Sequence, residues 1–179
     1  AISQEVKRDA VGSVIVATIL MLIYIWIRFK DVRFATSAIT ALLHDVLVVL
    51  VFYGAARISV GNTFIACMLT IVGYSINATI VIFDRIRENL TEMKRKDTLE
   101  DVVNNSITQT LTRSIFTSLT TFIMVAVLYV MGVASVKEFA LPLMVGIVCG
   151  AYSSVCITGP LWYVMKTKMV KKQEGFSGR

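Results

Sequence analysis

The chain has 179 residues, 56% of them hydrophobic, with only 17% charged and a mean hydropathy of +0.73. So large an apolar share, set in long uncharged runs between short charged ones, excludes a soluble domain and specifies an all-α, polytopic transmembrane helix bundle. The net charge of +6 then reads as the one-sided basic excess of a membrane protein, and no nucleic-acid partner is implied.

Residues 1–9 are polar and read as the end of an external segment, with no cleavable leader in them. Residues 10–83 hold the first three predicted spans, at about Ala10 to Phe29, Phe34 to Arg57 and Val60 to Phe83. Residues 114–166 hold two more, at about Ser114 to Met131 and Glu138 to Met165. Each has roughly the 20 residues that cross a hydrocarbon layer ~30 Å thick. Between the two sets, residues 84–113 form a long loop with a helical pattern, and residues 167–179 form a basic tail.

Basic residues set the orientation. Arg28, Lys30, Arg33, Arg85, Arg87, Lys94, Arg95, Lys96, Arg113, Lys166, Lys168, Lys171, Lys172 and Arg179 fall on one side, against Lys7, Arg8, Arg57 and Lys137 on the other. The richer side is predicted to be cytoplasmic, which puts the N-terminus outside and the C-terminus inside. Trp26, Trp162 and Tyr163 then fit an interfacial aromatic belt. In the loop, Glu92 and Lys96 are spaced as a helical pair, and Asp97 with Glu100 reads as a capping box. Leu99, Val102, Val103 and Ile107 line one face, which predicts an amphipathic helix on the inner membrane surface, running into the fourth span.

Polar residues inside spans are the candidate functional groups, because hydrocarbon penalises any that do not face protein or water. The second span carries His44 and Asp45 near its centre. Asp45 reads equally as a proton-accepting carboxylate or as a structural one hydrogen-bonded to a neighbouring helix, and His44 reads as structural. The third places Thr70, Gly73, Asn77 and Asp84 along one side, Gly73 for close helix approach and Asn77 for an amide bridge. The fourth carries a stripe of Thr110, Arg113, Thr117, Thr120 and Thr121, expected to face the bundle interior or a wet cavity. The fifth has Gly146, Gly150 and Ser154 at four-residue steps, a groove for a neighbouring helix, with Pro142 and Gly159-Pro160 as possible kinks. The three cysteines lie in apolar runs without paired spacing, and one histidine makes no metal cluster. No nucleophile–base pair, phosphate loop or cofactor motif occurs, so the reading is non-enzymatic.

The run Gly73-Tyr74-Ser75-Ile76-Asn77-Ala78-Thr79-Ile80-Val81-Ile82-Phe83-Asp84-Arg85-Ile86-Arg87-Glu88-Asn89 strongly resembles the signature of the SecF family, a membrane subunit of bacterial protein export. The block from Ser106 to Thr121, with Gln109, Thr110, Arg113, Thr117, Ser118, Thr120 and Thr121, resembles a second family motif. The resemblance implies five of the six spans of one half of an RND-type (proton-driven transporter) membrane part. It implies SecD as the other half, the Sec translocon channel with its associated subunits and a preprotein as partners, and membrane lipid as surroundings. It further implies residence in the bacterial cytoplasmic membrane and export driven by the proton-motive force. Asp84, Arg85, Arg87 and Glu88 are the interfacial part of the signature. The family's usual aspartate, thought to take up the transported proton, is replaced here by Ala78, which leaves Arg113 without that counter-charge. Arg113 then reaches the interface, Asp84 or an acid of SecD. Two rivals stand beside this reading: half of a small-molecule RND antiporter, and a translocase scaffold without ion coupling. If the missing carboxylate limits coupling, Ala78→Asp is expected to increase gradient-dependent export into inverted vesicles. No gain in that assay counts against coupling through position 78.

Overall fold

The structure, a computed structural model, describes residues 4–177, side chains at 6, 10 and 169–177 excepted. Residues 1–3, the basic-tail residues 178 and 179, and the side chains of Lys171 and Lys172 therefore lie outside the described residues. The elements are α1 (Gln4–Phe29), α2 (Val32–Ala56), α3 (Asn62–Thr91), α4 (Leu99–Met131), α5 (Ala134–Ser153), a π-helical turn (Ser154–Thr158) and α6 (Gly159–Ser177). Among them are five stretches long and apolar enough to cross a membrane, the last running from α5 through the π turn into α6. Helices are what a chain must form there, since each backbone N–H and C=O has to find its partner within the segment.

α2, α3 and α5 make the centre of the bundle. α1 packs on α2 and α3, while α4 packs on α3, α5 and α6. α1 and α4 leave most of their apolar side chains exposed, among them Ile15, Leu20, Ile27, Phe116, Met124 and Val130. In lipid such faces cost nothing, and only the central helices bury theirs against protein.

α3 has 30 residues, about 45 Å at 1.5 Å per residue, so it outruns the hydrocarbon layer. Its last turns and the start of α4 project together as a charged end. The predicted loop shrinks accordingly to Glu92–Thr98. Glu92 and Lys96 share no helical turn, because α3 stops at Thr91. The cap of α4 sits one residue later than the sequence reading placed it. Thr98 is the N-cap, Asp101 N–H donates to Thr98 Oγ1, and Asp101 Oδ2 accepts from Thr98 N–H. Val102 and Val103 are buried against protein, with Ile107 and Leu99 half-buried beside them. The predicted surface-lying helix is thus a protein-docked one. Gly159 is why: a Cβ there would lie 2.9 Å from Ile107 Cδ1, so its bare backbone admits α4 closely.

Trp162 departs from the interfacial belt expected for it. It is 0% exposed, stacked on Phe34 (4.8 Å, 14°) with Phe83 and Phe29 completing the cluster. Lys166 Nζ sits 4.7 Å from its ring centre. The end of α1, the start of α2 and the body of α3 offer rings there, and a buried aromatic contact outweighs an interfacial site. Trp26, by contrast, is exposed.

The close helix contacts fall at Gly146 and Gly150 as the sequence predicts, but not at Gly73. A Cβ on Gly146 would lie 2.5 Å from Ile71 Cδ1, and one on Gly150 would lie 3.3 Å from the Tyr74 ring and 3.5 Å from the Ser75 backbone. One on Gly73 would meet nothing within 4 Å. α3 offers α5 the face carrying Ile71 and Ser75, and Gly73 points elsewhere. Gly146→Val should therefore destabilise by about 1–3 kcal/mol through overpacking. Gly73→Ala should be neutral or stabilising by about 0.5–1 kcal/mol. Thermal unfolding in detergent separates the two, and an equal loss at both would remove Gly146 as the tight contact.

Candidate functional site: a buried carboxylate and an interhelical cleft

Asp45 lies midway along α2, between the two apolar clusters of the bundle, and is fully buried. Its Oδ2 accepts from Ser75 Oγ of α3 at 2.5 Å and from Ser153 Oγ of α5 at 2.7 Å. Its Oδ1 is 3.0 Å from Nδ1 of His44. A carboxylate taken out of water is tolerated only where its lone pairs are met, and each bond to a charged acceptor is worth about 1.5–3 kcal/mol. Three helices are thus tied at one residue. Ser75 and Ser153 were not singled out from the sequence. Ser75 lay in the signature run and Ser153 beside Ser154, but nothing in spacing alone aims two serines from different helices at one carboxylate.

Ser153 is the last residue before the π turn, and Thr158 Oγ1 donates back to Ser153 C=O at 3.1 Å. Pro160 explains the irregularity. It has no N–H for the Cys156 carbonyl and its ring would strike that carbonyl in a regular helix, so the chain widens by one residue.

A second polar site lies on the opposite side of α3. Successive helical residues turn by about 100°, so Ser75 points to Asp45 while Asn77 and Ala78 face α4. Tyr74, Asn77, Ala78 and Val81 of α3 meet Arg113, Ser114, Thr117 and Ser118 of α4 around a cleft of about 70 Å³. Tyr74 Oη donates to Ser118 Oγ at 2.6 Å across its top. Among the described residues, Arg113 has no ion pair and the Asn77 amide no hydrogen bond, and both side chains are exposed. Asn77 therefore does not bridge helices as its position suggested. The polar candidates from the sequence divide into two places, Asp45 inside the bundle and Asn77, Arg113 and Thr117 around the cleft with Ala78, while Thr121 is not among the cleft's lining residues.

The threonine stripe of α4 is not uniformly interior. Thr110 is buried, Thr121 half-buried, and Thr117 and Thr120 exposed. Each hydroxyl donates to a carbonyl one turn earlier: Thr110 to Ser106, Thr117 to Arg113, Thr120 to Phe116, Thr121 to Thr117. Satisfied inside its own helix, a threonine costs hydrocarbon little, which is why a polar stripe need not mark an interior face.

At the charged end the signature acts as a clamp. Asp84 pairs with Arg28 of α1 at 2.9 Å, and with this partner it does not engage Arg113. Arg87 Nη1 donates to the Arg28 carbonyl at 3.0 Å, meeting an acceptor that the end of α1 leaves open. Arg85 donates to Gln109 Oε1 and pairs with Glu88, each at 2.6 Å. Asn89 Nδ2 reaches Ser106 Oγ and Gln109 Oε1. Ile86 is fully buried between them. Asp84 through Asn89 thereby join α1, α3 and α4. Among the described residues no group of three or more His, Cys, Asp or Glu side chains gathers as a metal site.

Comparison with known proteins agrees with this architecture. The family model for the C-terminal part of the protein export membrane protein SecD/SecF matches residues 1–168. Protein translocase subunit SecF of Alicyclobacillus acidocaldarius is 47% identical over 173 residues, 96% of this chain and 56% of that protein. Protein translocase subunit SecDF of Bacillus subtilis is 42% identical over 173 residues, 96% of this chain and 23% of that one. A crystal structure of SecDF in a super-membrane-facing form superposes with a TM-score of 0.88 at 41% identity, covering 99% of this chain and 24% of its own. The chain thus spans about half the length of the SecF relative and a quarter or less of the SecDF ones.

The two kinds of hydroxyl differ in what they hold. Ser153→Ala and Ser75→Ala each leave the buried carboxylate short of a donor and should cost about 1.5–3 kcal/mol. Thr120→Val removes a hydroxyl bonded only within its own helix and should change stability by under about 0.5 kcal/mol. Unfolding of the purified variants in detergent checks the contrast, and comparable losses in all three would dissolve it.

Proposed function

The chain belongs to the SecD/SecF protein-export family, and from that premise we propose that it is the SecF-type half of an accessory complex of the Sec translocase. It resides in the bacterial cytoplasmic membrane with its charged end in the cytoplasm. It pairs with SecD, works beside the translocon channel, and uses the proton-motive force to assist preprotein export. Its role is mechanical and non-enzymatic: ionisation inside the bundle alters helix packing, and that movement is the output.

The observation that carries this reading is the fully buried Asp45 with its serine donors from α3 and α5. Ala78 cannot titrate, so among the described span residues Asp45 is the carboxylate placed where a change of charge is felt by three helices at once. Arg113, always ionised, shapes the field of the cleft and carries no proton itself. Asn77 and Thr117 line that cleft, and Thr121 follows Thr117 one turn along α4, bonded to its carbonyl. Asp84, Arg85, Arg87 and Glu88 hold the charged end rigid.

A second reading, a translocase scaffold without ion coupling, is favoured by Ala78 alone. The two separate on Asp45→Asn, which keeps an acceptor for both serines but cannot change charge. In inverted vesicles, gradient-dependent export should fall to the level seen without a gradient, while the complex still assembles. Export that keeps its full response to the gradient would leave the scaffold.

A further inference from the structure

We propose that His44 is the proton relay of Asp45, the group through which that buried carboxylate exchanges a proton with the outside of the bundle. The inference rests on reading Asp45 as the coupling carboxylate and adds the route by which it is reached.

Among the described residues Asp45 has three polar contacts, and they are unequal. Ser75 and Ser153, on Oδ2, are 1% and 0% exposed, so neither leads anywhere. His44, on Oδ1, has a side chain 38% exposed against 0% for Asp45. It is the one hydrogen-bonded neighbour that touches both the carboxylate and the surface. Its flanking residues Leu43 and Leu47 are exposed apolar side chains, so the imidazole edge emerges on an otherwise apolar strip of α2. An ionisable ring in such a place faces water or another polar group rather than acyl chains, since hydrocarbon leaves it unsatisfied.

Imidazole suits the task because its two nitrogens work on opposite edges. With the proton on Nδ1, that N–H donates to Asp45 Oδ1 and Nε2 is left as an acceptor. Nε2 takes a proton from the surface side while Nδ1 gives its own to Oδ1. The N–H bond at Nδ1 breaks, an O–H bond forms on Asp45, and a new N–H bond forms at Nε2. The ring stays neutral overall, now in its other tautomer, and the carboxylate becomes a carboxylic acid. The reverse sequence returns both groups to their starting state, and no further reactant is needed.

The other groups around Asp45 do not offer this path. Cys149 of α5 is a further titratable group near Asp45, and among the described residues it makes no hydrogen bond to the carboxylate. α3 presents Ser75, and the end of α5 presents Ser153, neither of which titrates. Cys149→Ala is therefore the control variant.

The experiment uses the full-length protein in lipid nanodiscs. A pH jump is followed by time-resolved infrared absorption of the protonated carboxyl group, the Asp45 signal being the band missing in Asp45→Asn. His44→Phe should slow the appearance of that band by about 10²-fold, the range by which a positioned acid–base group speeds proton transfer. His44→Gln, which can still donate a hydrogen bond to Oδ1, should slow it as much while preserving the packing, and added free imidazole should restore part of the rate in both. Cys149→Ala should leave it unchanged. A band that rises as fast in both His44 variants as in the unmodified protein overturns the relay and leaves Asp45 as the coupling group. An Asp45 band absent at every pH removes the coupling reading, and the relay with it. Loss of gradient-dependent export in Asp45→Asn alongside fast protonation in His44→Gln means that coupling stands and the relay falls.

Discussion

A carboxylate sealed from solvent has to be answered by donors that are already in place. Asp45 is answered from α3 by Ser75 and from α5 by Ser153. Neither α3 nor α5 can slide along α2 without breaking one of those bonds, and a buried charge left unmet costs more than the bond itself. The apolar clusters on either side supply adhesion, but apolar packing tolerates small shifts that a pair of hydroxyls on one oxygen does not. Register among the three central helices therefore depends on this residue, and the flanking helices α1 and α4 are placed against the framework it sets.

The run from Tyr74 to Asn89 shows how one helix can serve several neighbours. Tyr74 reaches α4, Ser75 reaches α2, and Ile76 fills the core. Asn77 and Ala78 open onto the cleft. Farther along, Asp84 and Arg87 hold the end of α1, while Arg85 and Asn89 hold the start of α4. Each step of about 100° hands the next side chain to a different partner. A signature read along the chain as a single unit is in space a set of separate attachments. That explains why so dense a motif contains both bundle-building residues and residues with no partner among the described residues, Arg113's cleft-mate Asn77 among them.

Apolar periodicity was legible because lipid is an unforgiving solvent: five runs of the right length, interrupted by charge, admit one architecture, and the helices stand where those runs are. Asp45 announced itself as a polar group in a span for the same reason. What remained hidden were the answering groups. Serine is common in membrane helices and usually bonds within its own turn, as the α4 threonines do, so Ser75 and Ser153 carried no mark that distinguished them. Gly73 and Gly146 looked alike for a related reason. Both are glycines at helical spacing from other small residues, and which one a neighbour approaches depends on the rotation of α3 about its axis. Trp162 showed the same ambiguity, since an aromatic near a helix end suits either an interface or a cluster of rings.

Sequence alone determined the number of membrane-length helices, their all-helical character, the family, and the few polar residues that hydrocarbon would penalise. The family follows from the resemblance of the signature run, and the rest from composition and local period, which act within one segment. Tertiary structure decided which of those residues share a site. It split the polar set between the bundle interior and the α3–α4 cleft, turned the amphipathic start of α4 onto protein, and aimed two unremarked serines at Asp45. The physical reason is that transfer out of water is a property of a residue, whereas satisfaction of a buried charge is a property of the helices that happen to face it.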